Sequence, residues 1–105
     1  MERTDKVGNL IKQRAAEFLQ TVSNRQSLIT VTSATVSPDL KRATVFITVL
    51  PESQEKIALG FAKRQRREMR EHLKKHMNTK VVPFLEVEID RGEKNRQKID
   101  ELLRG

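Results

Sequence analysis

The chain contains no cysteine, tryptophan or tyrosine, and has only four phenylalanines, four glycines and three prolines in 105 residues. The missing cysteine rules out disulfides and thiolate metal sites. The glycines stand apart at Gly8, Gly60, Gly92 and Gly105. Neither a phosphate-cradling glycine loop nor the G-x-x-G clamp of some single-strand RNA binders can be built from them. No apolar run approaches the ~18 residues of a membrane span. The start Met1-Glu2-Arg3-Thr4-Asp5-Lys6 is polar and has no apolar stretch behind it, so a secretory signal is not expected. These absences lead to the expectation of a soluble, cytoplasmic protein.

What the chain has is charge. Charged residues make up 33% of it, against 36% hydrophobic, with a formal net charge of +7. At this length the expectation is a single domain, residues 1–105, with a small core and an ionic surface. A net positive charge of this size on one small domain favours an anionic partner, either nucleic acid or an acidic surface.

The apolar residues are periodic. Thr4 can cap a helix in which Val7, Leu10, Ile11, Ala15, Phe18, Leu19 and Val22 form one face. The run Leu28 to Val36, rich in Ile, Val and Thr, predicts a strand. Ser37-Pro38-Asp39 signals a turn. A second strand follows over Lys41 to Leu50, where Val45, Ile47 and Val49 alternate with Thr44, Phe46 and Thr48. The short link makes the pair an antiparallel hairpin. A long helix is expected from Glu52 to about Met77. A third strand is expected over Val81 to Ile89, with Pro83 near its start, where a missing N–H is tolerated. A short helix over Glu93 to Leu103 closes the chain. The fold class is therefore α+β, with a three-stranded sheet and helices packed on one face.

The long helix carries the main functional signal. Lys63 to Lys75 holds seven basic residues (Lys63, Arg64, Arg66, Arg67, Arg70, Lys74, Lys75) and two acidic ones (Glu68, Glu71). With a 100° step per residue, Ala58, Phe61, Ala62, Gln65, Met69, His72, Leu73 and His76 share an arc of about 120° that faces the sheet. Lys63, Arg66, Arg67, Arg70 and Lys74 share an adjoining arc of roughly 100°. Glu68 and Glu71 fall on the other flank, where Glu71 is placed to pair with Lys75 and Glu68 with His72. A merely solvated helix mixes its signs. This stripe has no acid within it, so it is expected to contact phosphates, with Lys41, Arg42 and Lys80 extending the patch. Such contacts give affinity and orientation rather than base reading. Phe46 could stack a base but reads as half-buried structure, so binding through folded RNA shape and backbone is expected.

Catalytic signals are weak. His72 and His76 lie one turn apart, but Leu73 stands where a zincin needs glutamate. Glu86, Glu88 and Asp90 alternate on one strand face without an accompanying nucleophile. The chain reads as a non-enzyme with no metal, cofactor or small-molecule substrate.

Several segments carry a resemblance: Lys6-Val7 with Ile11, the hairpin TVTSATVSPDLKRATVFITVL, Met69-Arg70 with Leu73, VVPFLEVEID, and the ending Ile99 and Leu102-Leu103. In this order and spacing they resemble the ribosome-binding factor A family. The resemblance implies a type II KH-like domain that binds the immature small (30S) ribosomal subunit and assists processing and folding of 16S rRNA, acting as a monomer without a membrane. One departure stands out. Members carry Ala-x-Gly where the long helix kinks, and here Gln65-Arg66-Arg67 takes that place. Without glycine the helix is expected to run straighter or to bend near Gly60. The long basic tail of some members is also absent, which places more of the binding on the helix. Two other classes are open on the residues alone. One is a general nucleic-acid-binding module; the other is a protein-interaction domain using an apolar patch such as Phe46 with Leu50.

Overall fold

A computed structural model of the chain describes residues 2–22, 27–77 and 82–92. Helix α1 spans Glu2–Val22, strand β1 Leu28–Val36 and strand β2 Arg42–Leu50. A 3-10 turn at Glu52–Gln54 follows the cis Leu50–Pro51 bond and leads into helix α2, Glu55–Arg64. Helix α3 is Arg66–His76 and strand β3 is Phe84–Ile89. The sheet order is β1-β2-β3, antiparallel between the first two and parallel between β2 and β3. Among the described residues no helix is long and apolar enough to cross a membrane.

The alternation read in β2 decides which face is covered. Ala43, Val45, Ile47 and Val49 are buried, as are Leu85, Val87 and Ile89 of β3. They meet Ile11, Ala15, Phe18 and Leu19 of α1, Ala58 and Ala62 of α2, and Met69 and Leu73 of α3. Each large aliphatic side chain taken from water contributes about 1.5–3 kcal/mol, so this single layer of helices on one sheet face holds the fold together.

Strand β1 carries a bulge between Val31 and Ser33. The extra residue shifts the face that points inward, so Val31 packs inward before it and Ala34 opposes Val45 after it. Thr32, set out by the bulge, donates its hydroxyl to the Asp90 carboxylate (2.5 Å), with the Phe46 carbonyl a weaker, longer alternative acceptor at 3.3 Å. This links the two outer strands across β2. The hairpin turn is held by Asp39, whose Oδ1 accepts from the Ser37 hydroxyl (2.6 Å) and the Lys41 N–H (3.0 Å). Those bonds, the Ser37 hydroxyl first, lower the Asp39 pKa.

Several boundaries differ from expectation. Helix α1 begins at Glu2, ahead of the Thr4 expected to cap it, and β2 starts at Arg42 rather than Lys41. Strand β3 starts at Phe84, not Val81. The carbonyls of Val82 and Pro83 bond to a guanidinium instead of a strand, and Pro83 has no N–H to offer. The helix expected over 93–103 lies outside the described residues.

The long helix breaks at Gln65, not at Gly60, and it does so without glycine. Gln65 sits at φ −89°, ψ 3°, the bridge region found at tight turns, which does not require glycine. Its N–H reaches back to both Phe61 O (3.2 Å) and Ala62 O (3.1 Å), while its own carbonyl starts α3 by accepting from Met69 N–H (2.8 Å). Arg66 Nε then caps the Lys63 carbonyl at 2.9 Å. The carbonyl freed by the break is thus paired, which removes the main penalty of ending a helix there.

Of the face expected to pack on the sheet, Ala58, Ala62, Met69 and Leu73 are buried, but His76 is exposed. His72 is wedged between Phe18 (ring centroids 5.8 Å) and His76 (4.3 Å). Its Nε2 finds no hydrogen-bond partner among the described residues. Burial, followed by the nearby His76 ring, pulls the His72 pKa below the ordinary histidine value of 6.5.

This packing can be tested at two glycines and one histidine. A Cβ on Gly8 would lie 2.9 Å from the backbone oxygen of Ala34, whereas one on Gly60 would meet only Arg64 Nη1 at 3.5 Å. Both substitutions by alanine improve helix propensity by about 1 kcal/mol. Urea unfolding should nevertheless show Gly60→Ala stabilised by up to that amount and Gly8→Ala destabilised, because α1 must move off β1. For His72 the folded-state pKa lies below the unfolded one. Its stabilising contribution is therefore complete above about pH 6.5 and is lost as pH falls through the folded value. The melting temperature should therefore fall as the pH drops below about 6.5, and His72→Leu should flatten that fall.

Candidate nucleic-acid interface

The sequence-predicted cations divide into two groups. Arg66, Arg67 and Arg70, all on α3, meet Arg42 from the start of β2 around a recess of about 590 Å³. Phe84, Leu85 and Glu86 of β3 complete its walls. Lys63 is exposed at the end of α2, and Lys74 is exposed one turn past Arg70; neither lines the recess. Lys41 is exposed in the hairpin turn. Lys80 lies outside the described residues.

Parallel pairing explains why Arg42 joins residues more than twenty positions away. The Phe84 N–H donates to Lys41 O at 2.9 Å, setting Arg42 opposite Phe84. Opposed residues of neighbouring strands share a sheet face, so both lie on the side away from the helices. From the helix side, Arg70 reaches the start of β3. Its Nη2 donates to Val82 O (2.8 Å) and its Nε to Pro83 O (3.2 Å), and its guanidinium lies 4.6 Å from the Phe84 ring centre. Among the described residues β3 is an edge strand, and the recess straddles that edge with arginines from both sides.

The stripe is not free of partners, as the helical wheel implied. Arg66 Nη1 pairs with Glu86 Oε2 at 2.7 Å, and Lys74 Nζ lies 3.4 Å from Glu71 Oε1, the acid expected to pair with Lys75. Arg70 is committed to backbone carbonyls. The wheel counted only acids on the same helix, and Glu86 arrives from a strand twenty positions on. These pairs do not close the site. Both partners of Arg66–Glu86 are substantially exposed, at 42% and 57%, and exposed pairs are worth about 0–1 kcal/mol. A phosphate can replace such a carboxylate at little cost. The side chains of Lys63, Arg67 and Arg42 form no hydrogen bond or ion pair among the described residues. Among the described residues, four guanidinium groups thus face one carboxylate at the recess.

Sequence reasoning missed Phe84 as a site residue. It is 68% exposed, the most exposed of the large apolar side chains among the described residues. The signal was present in the alternation of PFLEVEID, which puts Phe84 on the same strand face as Glu86 and Glu88.

Helix, hairpin, a helix bent by one residue, and a third strand parallel to the central one make the α+β fold of a type II KH-like domain, here with a cationic recess beside the bend. The chain belongs to the ribosome-binding factor A family, whose sequence profile matches residues 3–103. Ribosome-binding factor A of Rhodopseudomonas palustris (strain TIE-1) is 32% identical over 107 residues, spanning 97% of this chain and 78% of that protein. The Methylobacterium sp. (strain 4-46) factor is 31% identical over 108 residues, spanning 98% and 78%. The crystal structure of ribosome-binding factor A from Thermus thermophilus shares the fold at a TM-score of 0.75 and 24% identity, covering 84% of this chain and 97% of that one. Thermus thermophilus coordinates fitted into a cryo-electron microscopy map of a 30S–factor complex match at a TM-score of 0.70 and 25% identity, covering 80% and 91%.

Removing the Glu86 carboxylate from the recess should strengthen its hold on polyanions. Glu86→Gln is expected to elute from immobilised heparin at higher salt than Glu71→Gln, which removes the same charge outside the recess. Its melting temperature should stay close to that of the parent, since an exposed pair contributes about 1 kcal/mol at most.

Proposed function

We propose that this chain is a non-catalytic, cytoplasmic assembly factor that binds the immature small ribosomal subunit and assists processing and folding of its 16S rRNA before leaving. The observation that carries the proposal is the recess of Arg42, Arg66, Arg67 and Arg70 beside the helix bend, in a chain of the ribosome-binding factor A family. Support for the partner comes from the fold-sharing Thermus thermophilus factor, which has been placed in a 30S complex. In this reading Arg42 and Arg67 hold rRNA phosphates directly, and Arg66 joins them by exchanging Glu86 for a phosphate. Lys63, Lys74 and Lys41 supply outer contacts around that centre. Each neutralised phosphate releases counterions, so binding weakens steeply with salt.

The test uses residues with no structural bond to lose. The double variant Arg42→Glu/Arg67→Glu should lose co-sedimentation with small subunits at low salt while melting at the parent temperature. Reversing Arg70 is a poorer test, because its guanidinium also holds the chain at Val82 and Pro83. Unchanged sedimentation of the double variant would reject the proposal.

A further inference from the structure

We infer that Phe84 is a stacking platform for one unstacked base of a single-stranded RNA segment, whose flanking phosphates sit on Arg42 and Arg67. The inference rests on the RNA-binding reading above and deepens it by naming the form of RNA the recess takes.

Three observations carry it. First, Phe84 is 68% exposed on the rim of the recess, on the same sheet face as Arg42. With the Arg70 guanidinium 4.6 Å from the ring centre on one side, that exposure leaves the rest of the ring in water. Second, the strand that carries the ring and the guanidinium beside it are fixed before anything binds. The Phe84 N–H is bonded to Lys41 O, and Arg70 is pinned by the carbonyls of Val82 and Pro83. A platform on fixed supports loses little freedom when a base lands on it. Third, arginines surround the ring: Arg70, bonded to backbone carbonyls, lies 4.6 Å from its centre, and Arg42 and Arg67, whose side chains have no partner among the described residues, line the same recess. A protein-docking aromatic sits among other apolar groups, with charge pushed to the rim. A ring set among guanidinium groups matches a nucleotide, which joins an apolar π-face to an anion. The recess, about 590 Å³, is also of the size that holds small ligands, roughly 300–1,000 Å³.

A duplex cannot use such a platform, because its bases are stacked on each other. The target is therefore a loop, bulge or end, in contrast to the expectation of binding through folded RNA shape and backbone.

The experiment uses the full chain and two probes: a single-stranded RNA of about ten nucleotides with one 2-aminopurine, and the same RNA as a duplex. Binding of the single strand should quench the 2-aminopurine. Phe84→Leu should weaken that binding about tenfold and remove the quench, Phe84→Tyr should restore both, and duplex affinity should stay within about twofold. Phe84→Leu binding and quenching like the parent, or losing equally on the duplex, would overturn the inference. If parental co-sedimentation with small subunits persists in that case, only the platform falls and the assembly-factor reading stands. If the parent does not co-sediment, that reading falls as well. Should Phe84→Leu lose co-sedimentation while keeping its single-strand affinity, Phe84 meets a ribosomal protein and the stacking assignment is wrong.

Discussion

The guanidinium of Arg70 joins the parts on which the site depends. It bonds the carbonyls of Val82 and Pro83, which tie α3 to the chain entering β3, and it lies against the ring of Phe84. Those carbonyls belong to residues that precede the strand and have no ladder partner there. A planar fork with several donors in fixed directions can satisfy both at once, which a lysine ammonium cannot do with the same geometry. The register of β3 against β2 is set at the same spot, where Phe84 N–H meets Lys41 O. The position of the edge strand, the exposure of Phe84 and the approach of Arg42 are therefore one linked arrangement.

The helix bend shows how a local geometry can be kept when the residue usually associated with it is gone. Glycine is the residue that bends a chain most freely, and none stands at this break. Here Gln65 occupies the bridge region, where φ is negative and glycine is not needed, and Arg66 caps the Lys63 carbonyl. The same side chain then reaches Glu86 through Nη1. Arg66 thus serves the backbone with one nitrogen and the edge strand with another.

The electrostatics of the face are those of weak, replaceable pairing. Arg66–Glu86 and Lys74–Glu71 are both exposed contacts, whose worth in water is small. Such pairs keep like charges from facing each other in the free protein. They are readily exchanged for phosphate, which carries more charge and more acceptors. Phe84 beside these arginines makes the recess amphipathic in the manner of a nucleotide.

The sequence was sufficient for everything governed by periodicity. The hairpin strands, the buried faces of α1 and β2, the turn at Ser37-Pro38-Asp39 and the stacking of helices on one sheet face were all readable, because burial imposes a fixed spacing on apolar residues. The grouping of Arg66, Arg67 and Arg70 was readable for the same reason. Contacts between elements were decided only by the tertiary structure. Glu86 on Arg66, Arg70 on the carbonyls of Val82 and Pro83, Arg42 beside Phe84 and the break at Gln65 all join residues that no helical wheel or strand alternation places together. Periodicity records which side of an element faces the core, while partners across elements are chosen by strand register and by backbone groups left unbonded, and neither is written in the spacing of residues.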